Sequence, residues 1–208
     1  MKIAIPVFEG MTALDAIGPY EVLSRLPEAS VVFAGVAGAG PVRSDNGMLG
    51  IVADAGLDEV ANCDVLVFPG GFVTRPLVRD PEVLAWVRSV HEHSTWTTSV
   101  CTGSLVLAAA GLLHGLEATT HWTQMELLES LGAVPVSRRV VRSSHKVITA
   151  AGVSSGIDMA LTLAALIADE DTARAIQLAI EYDPEPPFDS GSVAKADPAL
   201  LQRAAAAS

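Results

Sequence analysis

Five short apolar runs, at residues 2–8, 30–36, 64–68, 95–100 and 146–150, are bounded by glycine, proline and aspartate and alternate with segments of helical period. A strand that is apolar along its whole length needs cover on both faces, and a chain supplies it with helical crossovers between parallel strands. The alternation therefore predicts an α/β fold. Residues 14–26 place Leu14, Ile17, Val22, Leu23 and Leu26 at helical spacing, with Pro19 in the first turns and Pro27 as the stop. Residues 80–93 repeat the pattern with Val83, Leu84, Trp86, Val87 and Val90, while residues 102–113 are small and apolar all round, which predicts a buried helix. Further helices are expected at 122–131, at 156–168 with Ser154 or Ser155 as cap, and at 169–181. Thr119 and Thr120 read as a short strand, and two short extended pieces fall near 135–141. Between 41 and 52, Asn46-Gly47 joins two extended pieces, so an antiparallel hairpin interrupts the parallel sheet. At about 150 residues per domain, 208 residues make one domain, 1–208, with 192–208 as a peripheral tail and a weak helix at 198–207.

Composition removes several classes of function. Thirteen Lys and Arg against 24 Asp and Glu give a net charge of −11, and the cations are scattered, so no surface is built to track phosphates; no nucleic-acid partner is expected. Half the residues are apolar and 18% charged, too hydrophobic a mixture for disorder. The longest apolar stretch, 105–113, is about half of what a membrane span needs, so no membrane association is expected. The opening MKIAIPVFEG reads as a first strand rather than a leader, which places the protein in the cytoplasm. Two cysteines, Cys63 and Cys101, make neither a disulfide framework nor a multi-cysteine zinc pattern, and no metal or cofactor is expected.

In an open parallel sheet, ligands bind beyond the carboxyl ends of the strands. Cys101 stands there, in Ser99-Val100-Cys101-Thr102-Gly103-Ser104, where a strand turns sharply into a helix. A cysteine on such an elbow exposes its sulfur to helix N-terminal amides that favour a thiolate; the alternative is a small buried hydrophobe. Cys63 precedes its strand, at the amino end, and reads as core. Gly70 and Gly71, in Phe68-Pro69-Gly70-Gly71, can bring backbone N–H groups close to a ligand as half of an anion hole, or form an ordinary tight turn. Asp15 lies near a helix start, where an acid is a dipole partner or a chemical group. Of five histidines, His91 and His93 point to nearly opposite sides of one helix and read as solvated, and His114 and His145 as structural. His121, in Thr119-Thr120-His121-Trp122 at another strand end, could orient or activate a thiol, or cap a helix. Trp96, Trp122 and Phe72 are candidate apolar walls of a pocket.

These motifs, with Leu14-Asp15-x-x-Gly18-Pro19 and Gly156-Ile157-Asp158, resemble the ThiJ/PfpI superfamily from residue 2 to about 191. Within it the chain looks most like the isonitrile hydratases and their sister domains in AraC-type regulators. The resemblance implies a flavodoxin-like three-layer sandwich, usually a homodimer, in which Cys101 is the nucleophile and Asp15 the acid beside it. It implies hydration of an isocyanide, R–NC plus water, to an N-substituted formamide, with help from Thr102, with Gly70 and Gly71 positioning the ligand or bound water, and with His121 as an accessory group. Asp158 is then structural, or a partner for a backbone group. A carboxylate beside a thiolate raises the thiol pKa by like-charge repulsion, so the pair works best with Asp15 protonated. Two departures from relatives matter: no histidine follows Cys101, as peptidase-like members have, and Ser99 stands where an amidotransferase has glycine. Two alternatives stay open: glyoxalase-like conversion of methylglyoxal, and a stand-alone thiol sensor.

Overall fold

The computed structural model describes residues 1–206. In chain order the elements are β1 (Lys2–Val7), α1 (Ala13–Leu23), β2 (Ser30–Gly35), β3 (Gly40–Arg43), β4 (Gly50–Ala53), β5 (Ala55–Gly56), β6 (Val65–Phe68), α2 (Thr74–Leu77), α3 (Pro81–His93), β7 (Trp96–Val100) and α4 (Gly103–Ala109). Then follow β8 (Glu117–Ala118), a 3₁₀ turn at Trp122–Gln124, α5 (Met125–Ser130), β9 (Val134–Pro135), β10 (Val140–Arg142), β11 (Val147–Ala150), α6 (Ser155–Ile167), α7 (Glu170–Ala179), a 3₁₀ turn at Val193–Lys195 and α8 (Pro198–Ala206).

The main sheet has seven strands in the order β10-β11-β7-β6-β1-β2-β5. All neighbours are parallel except the edge pair β10–β11. Every residue of β6, β7 and β11 is buried, which requires cover on both faces. The period-2 pattern sorts the side chains. Ile3, Ile5, Val7, Val65 and Val67 join the large core cluster, whereas the alternate residues Ala4, Ala34 and Leu66 join a smaller one with Val60, Cys63 and Val90 of α3. β3 and β4 form the expected antiparallel hairpin as a separate ribbon, with Pro41 opposite Val52 and Arg43 opposite Gly50. The connection is longer than a two-residue turn. Asn46 folds it by accepting from Ser44 Oγ and the Met48 N–H, and Gly47 takes a left-handed φ of 72°.

Helix α1 crosses α6 at the Leu14-Asp15-x-x-Gly18-Pro19 and Gly156-Ile157-Asp158 motifs. A Cβ on Gly18 would lie 3.1 Å from Ile157 Cγ1, so glycine there lets the helix axes approach. Asp15 is fixed in space by that crossing.

Several expected boundaries shift. Helix α1 ends at Leu23, short of Pro27, while Pro19 lies in its second turn, among the first turns as expected. Helix α4 stops at Ala109 rather than 113, because Gly111 at φ 88° turns the chain into i→i−3 bonding, its N–H donating to Ala108 O. The short strand is Glu117–Ala118, paired with β9; Thr119 is just past it and donates its N–H to the Thr149 hydroxyl at 3.0 Å. Ser154 occupies the N-cap of α6 without a side-chain capping bond, and the Ser155 hydroxyl donates to Gly152 O. The terminal helix begins at Pro198 as expected; Ala207, the end read for it, lies outside the described residues.

Candidate active site

β7 delivers Cys101 to the top of the sheet. Its N–H continues the parallel ladder one residue beyond the strand, donating to Ala150 O at 3.0 Å and Ala151 O at 3.2 Å, and its carbonyl accepts from the hydroxyls of Thr120 (3.0 Å) and Ser104 (3.2 Å). Held from both sides, Cys101 adopts φ 56°, a left-handed conformation that costs a non-glycine residue about 1–3 kcal/mol. This is the sharp strand-to-helix elbow expected from the sequence.

Asp15, in the first turn of α1, is fully buried against it. Its Oδ2 accepts from the Gly70 N–H at 2.9 Å, Oδ1 has no hydrogen-bond partner of good geometry, and the carboxyl group interacts with the Cys101 thiol. Burial pushes the Asp15 pKa up to about 8, against the opposing pull of the Gly70 N–H and the Cys101 thiol, with the Asp45 charge adding to the rise. Asp15 therefore carries its proton at neutral pH. Burial likewise pushes the Cys101 thiol well above its ordinary value; the Asp15 charge adds, and the Thr102 N–H and hydroxyl oppose. The stabilised thiolate expected of the elbow is thus not the resting state. Desolvation outweighs the helix amides, and the resting pair is thiol and carboxylic acid.

The loop after β6 closes over this pair. A Cβ on Gly70 would lie 2.5 Å from Thr102 N, 2.6 Å from Thr102 Oγ1 and 2.9 Å from Asp15 Oδ2, so only glycine lets the loop seat between the two groups. The Thr102 hydroxyl makes a two-way clasp with Gly71, accepting from its N–H at 2.9 Å and donating to its carbonyl at 3.0 Å. Both loop amides are therefore engaged within the protein, Gly70 with Asp15 and Gly71 with Thr102. The anion hole expected of them is not free. Their work is to hold the acid and the elbow threonine.

His121 faces the same cavity but is not bonded to the thiol. Its Nδ1 accepts from the Thr123 N–H at 3.4 Å and lies 2.8 Å from Thr123 Oγ1, and burial lowers its pKa, so it is a neutral capping residue and a wall. The cavity over Cys101, partly open to solvent, measures about 190 Å³, and Thr12, Asp45, Phe72, Arg75 and Leu105 are among its walls. Asp45 is itself held by the Thr12 hydroxyl at 2.9 Å and by the Asn46 N–H at 2.9 Å. Sequence reasoning missed Thr12, Asp45 and Arg75. The available signal was positional: the hairpin tip and the loop after Gly71 both lie at the carboxyl end of the sheet, through the bridges from Met11 to Ser44 and to Gly71.

Other assignments divide. Phe72, exposed, lines this cavity, and Trp122 lines a neighbouring one, but Trp96 is buried at the amino end of β7, beneath the Arg142 guanidinium, at the far side of the sheet from Cys101. His91 is not solvated: it is half-buried with Nδ1 2.8 Å from the Thr97 hydroxyl, and burial lowers its pKa, assisted by the nearby Lys146 and His145. Asp158 holds side chains rather than a backbone group, accepting from Arg139 Nε and, at 2.8 Å, from the Tyr182 hydroxyl. Among the described residues no three His, Cys, Asp or Glu side chains come together as a metal would require, and no helix is long and apolar enough to cross a membrane.

The DJ-1/PfpI family model matches residues 1–166. The chain is 43% identical to a Pseudomonas putida protein named isonitrile hydratase, over 98% of this chain and 88% of that one. It is 32% identical to an HTH-type transcriptional regulator of Pseudomonas aeruginosa, over 77% of this chain and 48% of the regulator. A crystal structure of a ThiJ/PfpI family protein from Pseudomonas syringae superposes with a TM-score of 0.91 at 40% identity, covering 98% of this chain and 84% of that one. With the family model matched over residues 1–166 and relatives of 40% identity or more spanning nearly its whole length, the chain belongs to the DJ-1/PfpI family.

Proposed function

We propose that this chain is an isonitrile hydratase, a cofactor-independent lyase that adds water to an isocyanide and releases an N-substituted formamide. The observation that carries the reading is the buried Asp15 carboxyl, its pKa raised by burial, against a Cys101 thiol that lines a small cavity, in a chain 43% identical to a named isonitrile hydratase over nearly its full length. An isocyanide presents a terminal carbon that must gain both a nucleophile and a proton. Cys101 sulfur forms the S–C bond while Asp15 gives its proton to that carbon and takes up the thiol proton, yielding R–N=CH–S–Cys101 with the acid restored. A carboxylic acid suits this double task because one oxygen donates while the other accepts. Water then adds to the thioimidate carbon and one of its protons goes to nitrogen; collapse expels sulfur, which recovers the hydroxyl proton, and R–NH–CHO leaves. Thr102 stabilises the transient negative charge on sulfur through its N–H, while Gly70 and Gly71 hold Asp15 and Thr102 in register. His121 serves as a wall rather than as the base.

The thiol-sensor alternative is weakened by burial, since a sensor cysteine needs an accessible thiol of low pKa. Glyoxalase-like chemistry lacks an ionised base beside the sulfur. Two free cysteines suit a reducing compartment, and cytoplasmic operation as a homodimer completes the reading. The deciding experiment is steady-state formation of N-formamide from an aromatic isocyanide; a wild-type protein inert toward several isocyanides while consuming methylglyoxal would replace this reading with the glyoxalase-like one.

A further inference from the structure

The reaction cavity is small for a ligand site. At about 190 Å³ it falls below the range of roughly 300–1,000 Å³ in which drug-sized ligands bind. A second chamber of about 480 Å³ adjoins it, and the two share two side chains, His121 and Val153. These side chains are the partition. His121 is pinned: Thr123 holds its Nδ1, and the ring packs so closely on Gly152 that a Cβ there would lie 2.3 Å from Cδ2. Val153 is half-buried and packs by apolar contact alone, at the edge of the large core cluster, so it is the part of the wall that can be shortened without breaking a polar bond.

The second chamber has a definite chemistry. Leu14, Trp122, Met125 and Val193 give it apolar walls, with Leu14, Trp122 and Val193 notably exposed for such residues. Its two cations, Arg138 and Arg139, are already paired with Glu117 and Asp158. A neutral, extended hydrocarbon group fits this lining better than a charged one.

We propose that Val153 is the specificity-determining residue of the site: it confines the N-substituent of the isocyanide to the size of the reaction cavity, and the chamber behind it receives an extended apolar substituent once that side chain is shortened. The inference rests on the hydratase reading for the substrate class but not for the geometry. The test compares n-butyl and n-octyl isocyanide with wild type, Val153→Ala, and the double variant Val153→Ala/Met125→Trp, which refills the chamber. The kcat/KM ratio of octyl to butyl is expected to rise about tenfold in Val153→Ala, the scale on which pocket shape discriminates hydrocarbon substrates, and to fall back to the wild-type ratio in the double variant. In parallel, Cys101 is alkylated with N-methyl and N-octyl iodoacetamide and read by mass, where sulfur displaces iodide and no hydration is needed; the same ratio should shift in the same direction. An alkylation ratio that does not move with Val153→Ala overturns the partition whatever the turnover. If that ratio moves while no variant hydrates any isocyanide, the partition stands and the hydratase reading falls.

Discussion

Cys101 and Cys63 are nearly matched by the measures most often used to find a reactive cysteine: both are free, their residues are 4% and 5% exposed, and burial raises both thiols, Cys63 to about 11. What differs is the company. Cys63 precedes β6 inside the small apolar cluster with Ala4, Leu66 and Val90, where its thiol meets the Ala4 and Val65 backbone while Lys2 and Asp64 act on it through charge, with opposite signs. Cys101 has a strained backbone, an acid that holds its proton at neutral pH, and a cavity in front of it. On the proposed reading, reactivity comes from a proton partner and from space, not from a thiol poised as thiolate.

The sharpest way to break that comparison is to remove each sulfur in turn. Cys101→Ala should lower formamide formation by at least about 10³-fold, while Cys63→Ala should leave kcat/KM within about twofold; a large loss from the second would make the contrast empty. Asp15→Asn keeps an acceptor for the Gly70 N–H but cannot relay a proton, and about a 10²–10³-fold fall in kcat is expected with the fold intact by circular dichroism.

The same variant tests the buried acid through stability. A carboxyl whose folded pKa is raised from 3.8 to about 8 binds its proton more tightly in the folded chain, so its contribution is full below pH 4 and is lost as pH rises toward 8. Asp15→Asn should therefore melt increasingly above wild type as pH goes from 5 to 8, by at most about 5 kcal/mol at about 1.36 kcal/mol per unit, and wild-type activity should decline above pH 8. A Tm difference flat in pH would mean that Asp15 is ionised at rest. Gly70→Ala forces a methyl among Thr102 N, Thr102 Oγ1 and Asp15 Oδ2, and should cost about 1–3 kcal/mol and tenfold or more in kcat. The smallest effect expected is from Thr102→Val, which undoes the clasp on Gly71: about 1–3 kcal/mol in urea unfolding, with a several-fold fall in kcat/KM.

Much of this was legible from residue order. Fully apolar runs required a covered parallel sheet, and the rule that ligands gather at carboxyl strand ends singled out Cys101 and the Gly70-Gly71 loop before any coordinate. Asp15 was singled out from the residues but left between two readings until the resemblance favoured chemistry, because an acid in the first turn of a helix is ordinarily a dipole partner, and nothing local reveals that the α1–α6 crossing at Gly18 and Ile157 buries it. The residues alone left the thiol pKa pulled both ways, down by the elbow amides and up by the neighbouring acid; the desolvation that decides for the upward shift comes from packing far along the chain. Likewise, Gly70 and Gly71 look like free donors in sequence, and only the fold shows that their N–H groups already serve Asp15 and Thr102.

The elbow also has a place in time. The Cys101 N–H is satisfied by Ala150 and Ala151, at the end of a strand made about 50 residues after the cysteine itself. At roughly 5–20 residues per second of synthesis, the cysteine waits on the order of 3–10 s for the partner that bends it. Until β11 docks beside β7, the sulfur belongs to an unclosed sheet edge and has no reason to adopt its left-handed turn. The nascent chain thus completes the elbow late, and on the proposed reading its chemistry waits for β11.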